Sequence, residues 1–429
     1  MTTQAGPIAT EQATEPAPRT HLEEQAPSGG LRTFASLRYR DYRLLWFSTL
    51  FSSSGQWIQQ VSIGWLTYAL TGSPFLLGMV NGLRSLPLLV LGPFGGVAAD
   101  RIERKRLMLS TQLFLMTVTA IFATVIATGH AAVWNIVLFS LLTGVAWAFN
   151  MPVRQSVVPN LVPRSALMNA LALNSAGFNM TRIIGPSLAG LLIAAIGIAG
   201  NFYLQAMAYV GVTMMVWQMH IPPMENATRD VSVRRNLAEG ARYVWRHPTL
   251  RAQMTLALVP VVIALPYISL MPVFAKDVLG LGPGGFGLLM AAPGVGAVIG
   301  TLTIASAGDI KRKGLLLFGS LIALGVSLVL FSQSRSFPLS MGLLVLVGMF
   351  QMCYMTTNQT LLQITAPDEL RGRVMGIYML NQGLLPAGSL FAGVLADLWG
   401  APLAVSVMGS VVLLLAGIAF VRLPSMRTL

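Results

Sequence analysis

The chain has 429 residues, of which 54% are hydrophobic and only 10% are charged, and its formal net charge is +13. Ordinary soluble domains carry about a quarter charged residues, so this composition excludes a soluble protein of this length. The basic residues are concentrated in the connections between apolar segments, which excludes nucleic acid as the explanation for the positive charge.

Segment 1–33 is predicted to be a disordered tail, because it is rich in Pro, Ala, Thr, Glu and Gln and lacks the apolar core of a signal peptide. From there on, apolar stretches of about twenty residues recur, which is the length that crosses a hydrocarbon core of about 30 Å. Twelve membrane spans are predicted, near 44–68, 76–98, 107–128, 133–155, 170–195, 200–220, 252–274, 284–306, 314–334, 338–360, 374–396 and 401–421. The chain is therefore predicted to be an all-α membrane protein.

The basic residues predict the orientation of these spans. All but four of the 28 lysines and arginines lie in the two tails or in the even-numbered connections, the exceptions being Arg84, Arg182, Lys276 and Arg335. Basic residues in short loops remain in the cytoplasm. We therefore expect a multi-pass protein of the cell (inner) membrane with both termini in the cytoplasm.

The longest interior hydrophilic stretch, 221–250, divides the spans into an N-terminal six-helix half (34–220) and a C-terminal six-helix half (251–422), followed by a short cytoplasmic tail (423–429). Within it, VSVRRNLAEGARYVW places apolar residues at helical spacing opposite a row of arginines. Such a basic amphipathic helix is typical of segments that lie on an anionic cytoplasmic leaflet. A plain solvated linker helix is the alternative.

The two halves resemble each other in sequence. When the second half is aligned so that Asp309 matches Asp100, the apolar segments before these two residues also match. In a second matching stretch, Gly144 aligns with Gly348. Many secondary transporters are built from such repeats, with the substrate site near mid-membrane between the halves.

The stretch GGVAADRIERKR, 95–106, ends the second span in one acid and a group of bases. A carboxylate at the membrane edge needs a partner, and the amino terminus of the eleventh span, on the same face, offers unpaired amides. Gly96 would let the two helices approach closely. We predict a cytoplasmic latch between the halves, formed by Gly96, Asp100, Arg101, Arg104 and Lys105, with Asp309 in the fainter copy ASAGDIKRK.

These residues resemble the signature between spans two and three of the major facilitator superfamily, with Glu103 in place of a frequent glycine. TRIIGPSLAG resembles the fifth-span motif of antiporters in that superfamily, which here comprises Thr181, Gly185, Pro186 and Gly190. SLRYRDYRLLW and PVRQSVVPNLVP resemble the branch of macrolide efflux pumps and enterobactin-type siderophore exporters. The resemblance implies the major facilitator fold, with twelve transmembrane helices in two pseudo-symmetric six-helix halves, and export by alternating access.

Polar residues inside spans are the candidates for a substrate cavity. Arg84 and Arg182 lie within roughly 5 Å of the middle of their spans at a rise of 1.5 Å per residue. Hydrogen bonding to helix carbonyls is the alternative role for both. The resemblance implies that spans one, four, seven and ten line the cavity, which adds Gln56, Trp57, Gln60, Asn150, Gln351, Tyr354 and Asn358, with helix–helix contacts as the alternative. Since no acid lies at mid-membrane, the cavity is expected to be positive and to favour an amphipathic anion such as a phenolic siderophore.

We expect a secondary active exporter of a small drug-like or siderophore-like molecule, driven by proton antiport as the resemblance implies. A transport-dead sensor with the same fold and a nutrient importer are the alternatives. No residue is assigned to proton coupling, because Asp41, Asp277 and Asp397 lie near span ends, where solvated positions are the default. The single Cys353, four scattered histidines and the lack of a phosphate-binding loop predict no enzyme, no metal and no cofactor. The expected partners are the substrate, protons and the lipid bilayer, around a monomer.

Overall fold

The computed structural model describes residues 32–222, 233–308, 310 and 312–427, and this part of the chain is helical throughout, without strands. Inside it, the side chains of 32, 93, 97, 99, 100, 233–237, 382 and 425 also lie outside the described set. The helices are α1 (Arg40–Thr71), α2 (Pro74–Arg101), α3 (Arg104–Ala127), α4 (Val133–Val157), α5 (Arg164–Gln218), α6 (Val233–Arg246), α7 (Pro248–Val278), α8 (Pro283–Ser306), α9 (Lys313–Gln333), α10 (Phe337–Thr365), α11 (Asp368–Trp399) and α12 (Ala401–Arg422).

Ten of the described helices, α2–α5 and α7–α12, are long and apolar enough to cross a membrane. The sequence predicted twelve spans, and the difference has two causes. α1 has 32 residues but carries a polar run, SSSGQWIQQ, in its middle. α5 has 55 residues and contains both the fifth and the sixth predicted spans.

α5 turns back on itself at Gly197, whose φ of +73° is not helical. Both of its ends lie beside the start of α1. The backbone N–H of Ser36 donates to Asn169 near the first end (2.9 Å), and that of His220 donates to Asp41 just after the second (3.0 Å). A left-handed φ favours glycine, so this residue permits the turn.

The two ends of the helix bundle differ in the residues that they carry. The basic face holds the start of α1 and the end of α2, with Arg101, Arg104, Lys105 and Arg106. The opposite Gly72 face holds the α1–α2 turn, where Gly72 has a φ of +61° and its N–H caps α1 by donating to the carbonyl of Tyr68.

Helices pack mainly within each half and meet between the halves along two lines. α1 packs on α5, α2 on α4, and α3 on both α4 and α5; in the C-terminal half α8 packs on α10 and α9 on α10 and α12. The lines between the halves are α2 against α11 and α5 against α8. Any substrate pathway between the halves therefore lies between the α2–α11 contact and the α5–α8 contact.

α7 is irregular along most of its length. It passes from α-helix into a π-helical turn at Val259–Ala264, a 3-10 segment at Leu265–Leu270 and a second π-helical turn at Phe274–Val278. Prolines recur every six residues through it, at Pro260, Pro266 and Pro272. Proline lacks the N–H that a regular helix needs, so this spacing accounts for the interruptions.

The linker helix α6 packs on the first part of α11. Glu239 Oε2 lies 2.9 Å from Arg373 Nη1, and a Cβ on Gly240 would lie 3.0 Å from Ile377 Cδ1. Trp245 is 72% exposed, with the Arg251 guanidinium 5.8 Å from its ring centre. The predicted helix is present, while residues 223–232 and the side chains of 233–237 lie outside the described set.

Candidate substrate site and the contacts between the halves

A cavity lies between the two halves, where the irregular part of α7 faces α1, α5 and α8. It is lined by Trp57, Arg182, Tyr267, Ile268, Met271, Leu289, Met290 and Pro293. We call it the central cavity. Two of its residues, Trp57 and Arg182, were predicted from the sequence, whereas Tyr267 was not.

The polar groups of the central cavity are hydrogen-bond donors without an acceptor. Trp57 Nε1 and Tyr267 Oη are buried and have no hydrogen-bond partner in the described part of the chain. The Arg182 guanidinium forms no hydrogen bond or ion pair with any described residue, although it lies close enough to Tyr267 to interact electrostatically. Most buried polar groups in proteins are paired, so this set needs an explanation.

Arg84 lines a different cavity, inside the N-terminal half. This cavity is lined by Gln56, Gln59, Arg84, Ser85, Leu88, Thr143, Gly144 and Trp147. Arg84 Nη2 donates to Gln60 Oε1 over 3.0 Å. The expectation that Arg84 and Arg182 share one positive cavity therefore does not hold in this conformation, because the two arginines line separate cavities.

Asn150 lies inside the N-terminal half rather than on a cavity wall. It is fully buried, and its Nδ2 donates to Thr111 Oγ1 over 2.7 Å. Its Oδ1 accepts from Arg154 Nε over 2.8 Å, while Arg154 Nη1 donates to Ser48 and Thr49 over 3.0 and 3.1 Å. The sequence analysis counted Arg154 among the basic residues of the connections and did not consider that it lies one helical turn from Asn150, which was the available signal.

Three candidates on α10 are packed inside the C-terminal half. Gln351 and Tyr354 are 5% and 1% exposed, and Gln351 Oε1 and Tyr354 Oη find no hydrogen-bond partner among the described residues. Asn358 is fully buried beside Tyr378 of α11. None of the three lines the central cavity in this conformation.

Polar contacts join the halves at the Gly72 face. The Tyr68 hydroxyl of α1 donates to Asp277 of α7, and Lys276 Nζ lies 5.5 Å from the centre of the Tyr68 ring. Nearby, Ser73 Oγ donates to Asp397 Oδ1 over 3.4 Å. The sequence placed both acids at solvated span ends, and both are exposed there; what the sequence did not predict is that each also bonds to the other half.

Backbone contacts through glycine join the halves below these polar groups. A Cβ on Gly78 of α2 would lie 2.3 Å from the Ser389 carbonyl and 3.0 Å from Gly393 Cα of α11. A Cβ on Gly287 of α8 would lie 2.5 Å from the Pro186 carbonyl and 2.8 Å from Gly190 Cα of α5. Only glycine permits such close helix approach, so the halves are shut at this face.

Comparison with known proteins identifies the fold and the family. A profile described as transmembrane secretion effector matches residues 31–428. The chain belongs to this family of the major facilitator superfamily. The resemblance inferred from the motifs is thereby confirmed.

This major facilitator protein is similar to several curated transporters and efflux proteins. It is 28% identical to the staphyloferrin A transporter of Staphylococcus aureus, covering 84% of this chain and 91% of that protein. It is 29% identical to the multidrug efflux pump Tap of Mycolicibacterium fortuitum, covering 90% and 96%, and 23% identical to macrolide efflux protein A of Streptococcus pyogenes, covering 84% and 91%. It is a membrane transporter, not an enzyme.

The fold is also that of solved transporters. A bacterial homologue of the lysosomal transporter Spinster, in an inward-facing and occupied conformation, matches with a TM-score of 0.72 and 14% identity. The match covers 91% of this chain and 98% of that one.

The antiporter motif of this family member packs α5 against two other helices. A Cβ on Gly185 would lie 2.7 Å from Trp57 Cβ of α1, while Pro186 and Gly190 form the contact with Gly287 of α8. Thr181 is buried and its hydroxyl donates to the Phe178 carbonyl over 2.8 Å. The motif therefore sets how closely α5 approaches α1 beside the central cavity and α8 in the C-terminal half.

The glycines described in the signature between α2 and α3 make no close contact with the other half in this conformation. A Cβ on Gly96 would meet no described atom within 4 Å, so the predicted close approach is absent here, and the neighbouring Gly95 instead packs on the Ala148 carbonyl of α4. Arg101 is exposed, and Arg104 and Lys105 are partly buried. The side chain of Asp100 and the whole of Asp309 lie outside the described residues.

Proposed function

We propose that this protein is a secondary active exporter that moves a small amphipathic molecule out of the cell by alternating access. Its curated relatives include siderophore and drug transporters. The observation that carries the proposal is the central cavity, which lies between the halves and is separated from the Gly72 face by glycine and carboxylate contacts between them. A cavity shut on one side by breakable contacts is what alternating access requires.

We further propose twelve membrane crossings in two six-helix halves, which the helix bounds support. The ten apolar helices become twelve crossings when α1 is added and α5 is counted as two. Both chain ends and α6 then lie at the basic face. Because basic loops remain in the cytoplasm, this face is cytoplasmic and the structure is closed toward the outside.

The orientation is tested with single cysteines in a Cys353→Ser background. Cysteines at Thr2, Asn226 and Ser73 are exposed in whole cells to a thiol reagent that does not cross membranes. Labelling of Ser73→Cys alone is expected, and the reverse pattern would overturn the orientation.

Proton entry is the proposed driving force because the fifth-span motif resembles that of antiporters, and the sequence carries no phosphate-binding loop that would indicate nucleotide hydrolysis instead. In proteoliposomes, an imposed pH gradient should drive substrate uptake or release, and a protonophore should abolish it. Transport that survives the protonophore but follows a sodium gradient would replace the proton with sodium.

The function itself is tested in cells. A deletion strain and a strain that overexpresses the protein are exposed to a panel of toxic amphipathic compounds, with siderophore secretion measured beside growth. Lower accumulation and higher resistance on overexpression support export. Higher accumulation would indicate import, and unchanged accumulation of every compound with unchanged siderophore secretion would favour a transport-dead sensor.

A further inference from the structure

Three buried donors from three helices line the central cavity. Trp57 comes from α1, Arg182 from α5 and Tyr267 from α7, and Tyr267 is only 1% exposed. Trp57 Nε1 and Tyr267 Oη have no hydrogen-bond partner among the described residues, and Arg182 has no hydrogen bond or ion pair there. The three together form a donor cluster that both halves contribute to.

The described side chains of the remaining wall supply no oxygen or nitrogen acceptor, only the weakly accepting thioethers of Met271 and Met290. The remaining lining residues are apolar, among them Ile268, Met271 and Leu289, and no carboxylate lies among the described lining residues. A buried donor left unpaired costs about 1–3 kcal/mol, and a buried unpaired cation costs more. An acceptor from outside the wall would therefore be stabilised, most strongly if it were negatively charged.

Arg84 and Arg154 show that the chain can hydrogen-bond arginines internally, although Arg154 Nη2 and, at the basic face, Arg104 Nε and Nη1 have no hydrogen-bond partner among the described residues. Arg84 donates to Gln60, and Arg154 donates to Asn150, Ser48 and Thr49. Both are held by neutral partners of their own half. Arg182 differs because it faces the gap between the halves and has no such partner.

We propose that Trp57, Arg182 and Tyr267 bind an anionic oxygen, carboxylate, sulfonate or phenolate, of the exported molecule. The apolar wall beside them packs against the body of that molecule, so the substrate class is an amphipathic anion. Since Trp57 and Arg182 belong to one half and Tyr267 to the other, the anion joins the halves at mid-depth. This inference rests on the proposed function, and a binding measurement separates the two.

The test uses two probes that share one ring skeleton. 1-Anilinonaphthalene-8-sulfonate carries a sulfonate, and N-phenyl-1-naphthylamine is its uncharged counterpart. Binding of each dye to purified protein in nanodiscs of zwitterionic lipid is measured by fluorescence titration, and export of each dye is measured in cells. Arg182→Gln keeps hydrogen bonding and removes the charge; Arg84→Gln is the matched control in the other cavity.

Arg182→Gln should weaken binding of the sulfonate dye by about tenfold or more, as expected for hydrogen bonds to a charged group, and leave the neutral dye within about twofold. Arg84→Gln should leave both dyes within about twofold. Tyr267→Phe and Trp57→Phe remove one neutral donor each and should weaken the sulfonate dye by about threefold or more. If Arg182→Gln does not fold, these two variants decide the matter.

Equal binding of the sulfonate dye to the wild type and to the folded Arg182 and Tyr267 variants would overturn the inference, whatever transport does. A wild type that exports the neutral dye and neither binds nor exports the anionic one would leave the exporter standing and remove the anion site. Sulfonate binding that depends on Arg182, without export of either dye or of any compound in the cell panel, would support the site and contradict the proposed function.

Discussion

The two faces of the bundle differ in how the halves meet. At the Gly72 face, Gly78 and Gly393 bring α2 against α11, and Gly190 and Gly287 bring α5 against α8. At the basic face, by contrast, a Cβ on Gly96 would meet no described atom within 4 Å.

Under the proposed alternating access, this difference is the one expected of a protein captured in one of its two states. The contacts at the Gly72 face are present in the structure, and the latch predicted around Asp100 would belong to the other state, in which the basic face is closed. Two states that exchange during transport must be close in free energy, so each contact that favours one of them shifts the balance. Variants on the two faces should therefore shift the balance between the two states in opposite directions, although either shift can lower export.

The largest effect is expected from Gly287→Leu. Its Cβ alone would lie 2.5 Å from the Pro186 carbonyl, and backbone cannot yield there as a side chain could, so the Gly72 face should not close. Export should fall to background while the protein remains in the membrane. Gly319→Leu on α9 is the control, since a Cβ there meets open space, and loss of export in both variants would contradict the assignment.

The second-largest loss of export is expected from Asp100→Asn, which lies at the basic face. Removing an anion from beside a helix amino terminus costs about 0.3–2 kcal/mol, which weakens the state closed at the basic face and lowers export several-fold or more at unchanged expression. Glu103→Gln is the matched control, because Glu103 forms only an exposed pair with Arg106 (3.7 Å). Export at the wild-type rate by Asp100→Asn would contradict the prediction that Asp100 forms a latch.

Asp277→Asn should have a smaller effect at the Gly72 face. It keeps the shape and a hydrogen bond to Tyr68, but a hydrogen bond to a charged group is worth about 1 kcal/mol more than a neutral one. The closed state should weaken and the export rate should change by about fivefold or less. Tyr68→Phe should act in the same direction, and the double variant should show little further change; full additivity would mean that the two residues act separately.

The sequence predicted the membrane class, the family, the linker helix and part of the central cavity. Arg182 and Trp57 were accessible to it because a polar residue inside an apolar span is conspicuous. Tyr267 was missed, although the prolines of α7 mark an interrupted helix of the kind that forms transporter sites.

Other misses had a different cause. Asn150 was assigned to the cavity because the sequence does not show that its side-chain amide is already hydrogen-bonded to Thr111 and Arg154. The bonds of Asp277 and Asp397 depend on helices more than two hundred residues away, and they exist only in a state closed at the Gly72 face. No single sequence encodes which of two states is observed.

Alternating access between the two faces is tested most directly by locking one of them. Ser73 Oγ and Asp397 Oδ1 lie 3.4 Å apart across the halves, so Ser73→Cys and Asp397→Cys in a Cys353→Ser background should be joined by a short bifunctional thiol reagent that forms a reducible bridge. Cross-linking should stop export, reduction should restore it, and neither single cysteine should lose export on treatment with the reagent. A cross-linked protein that exports at the rate of the reduced one would contradict alternating access through opening at the Gly72 face.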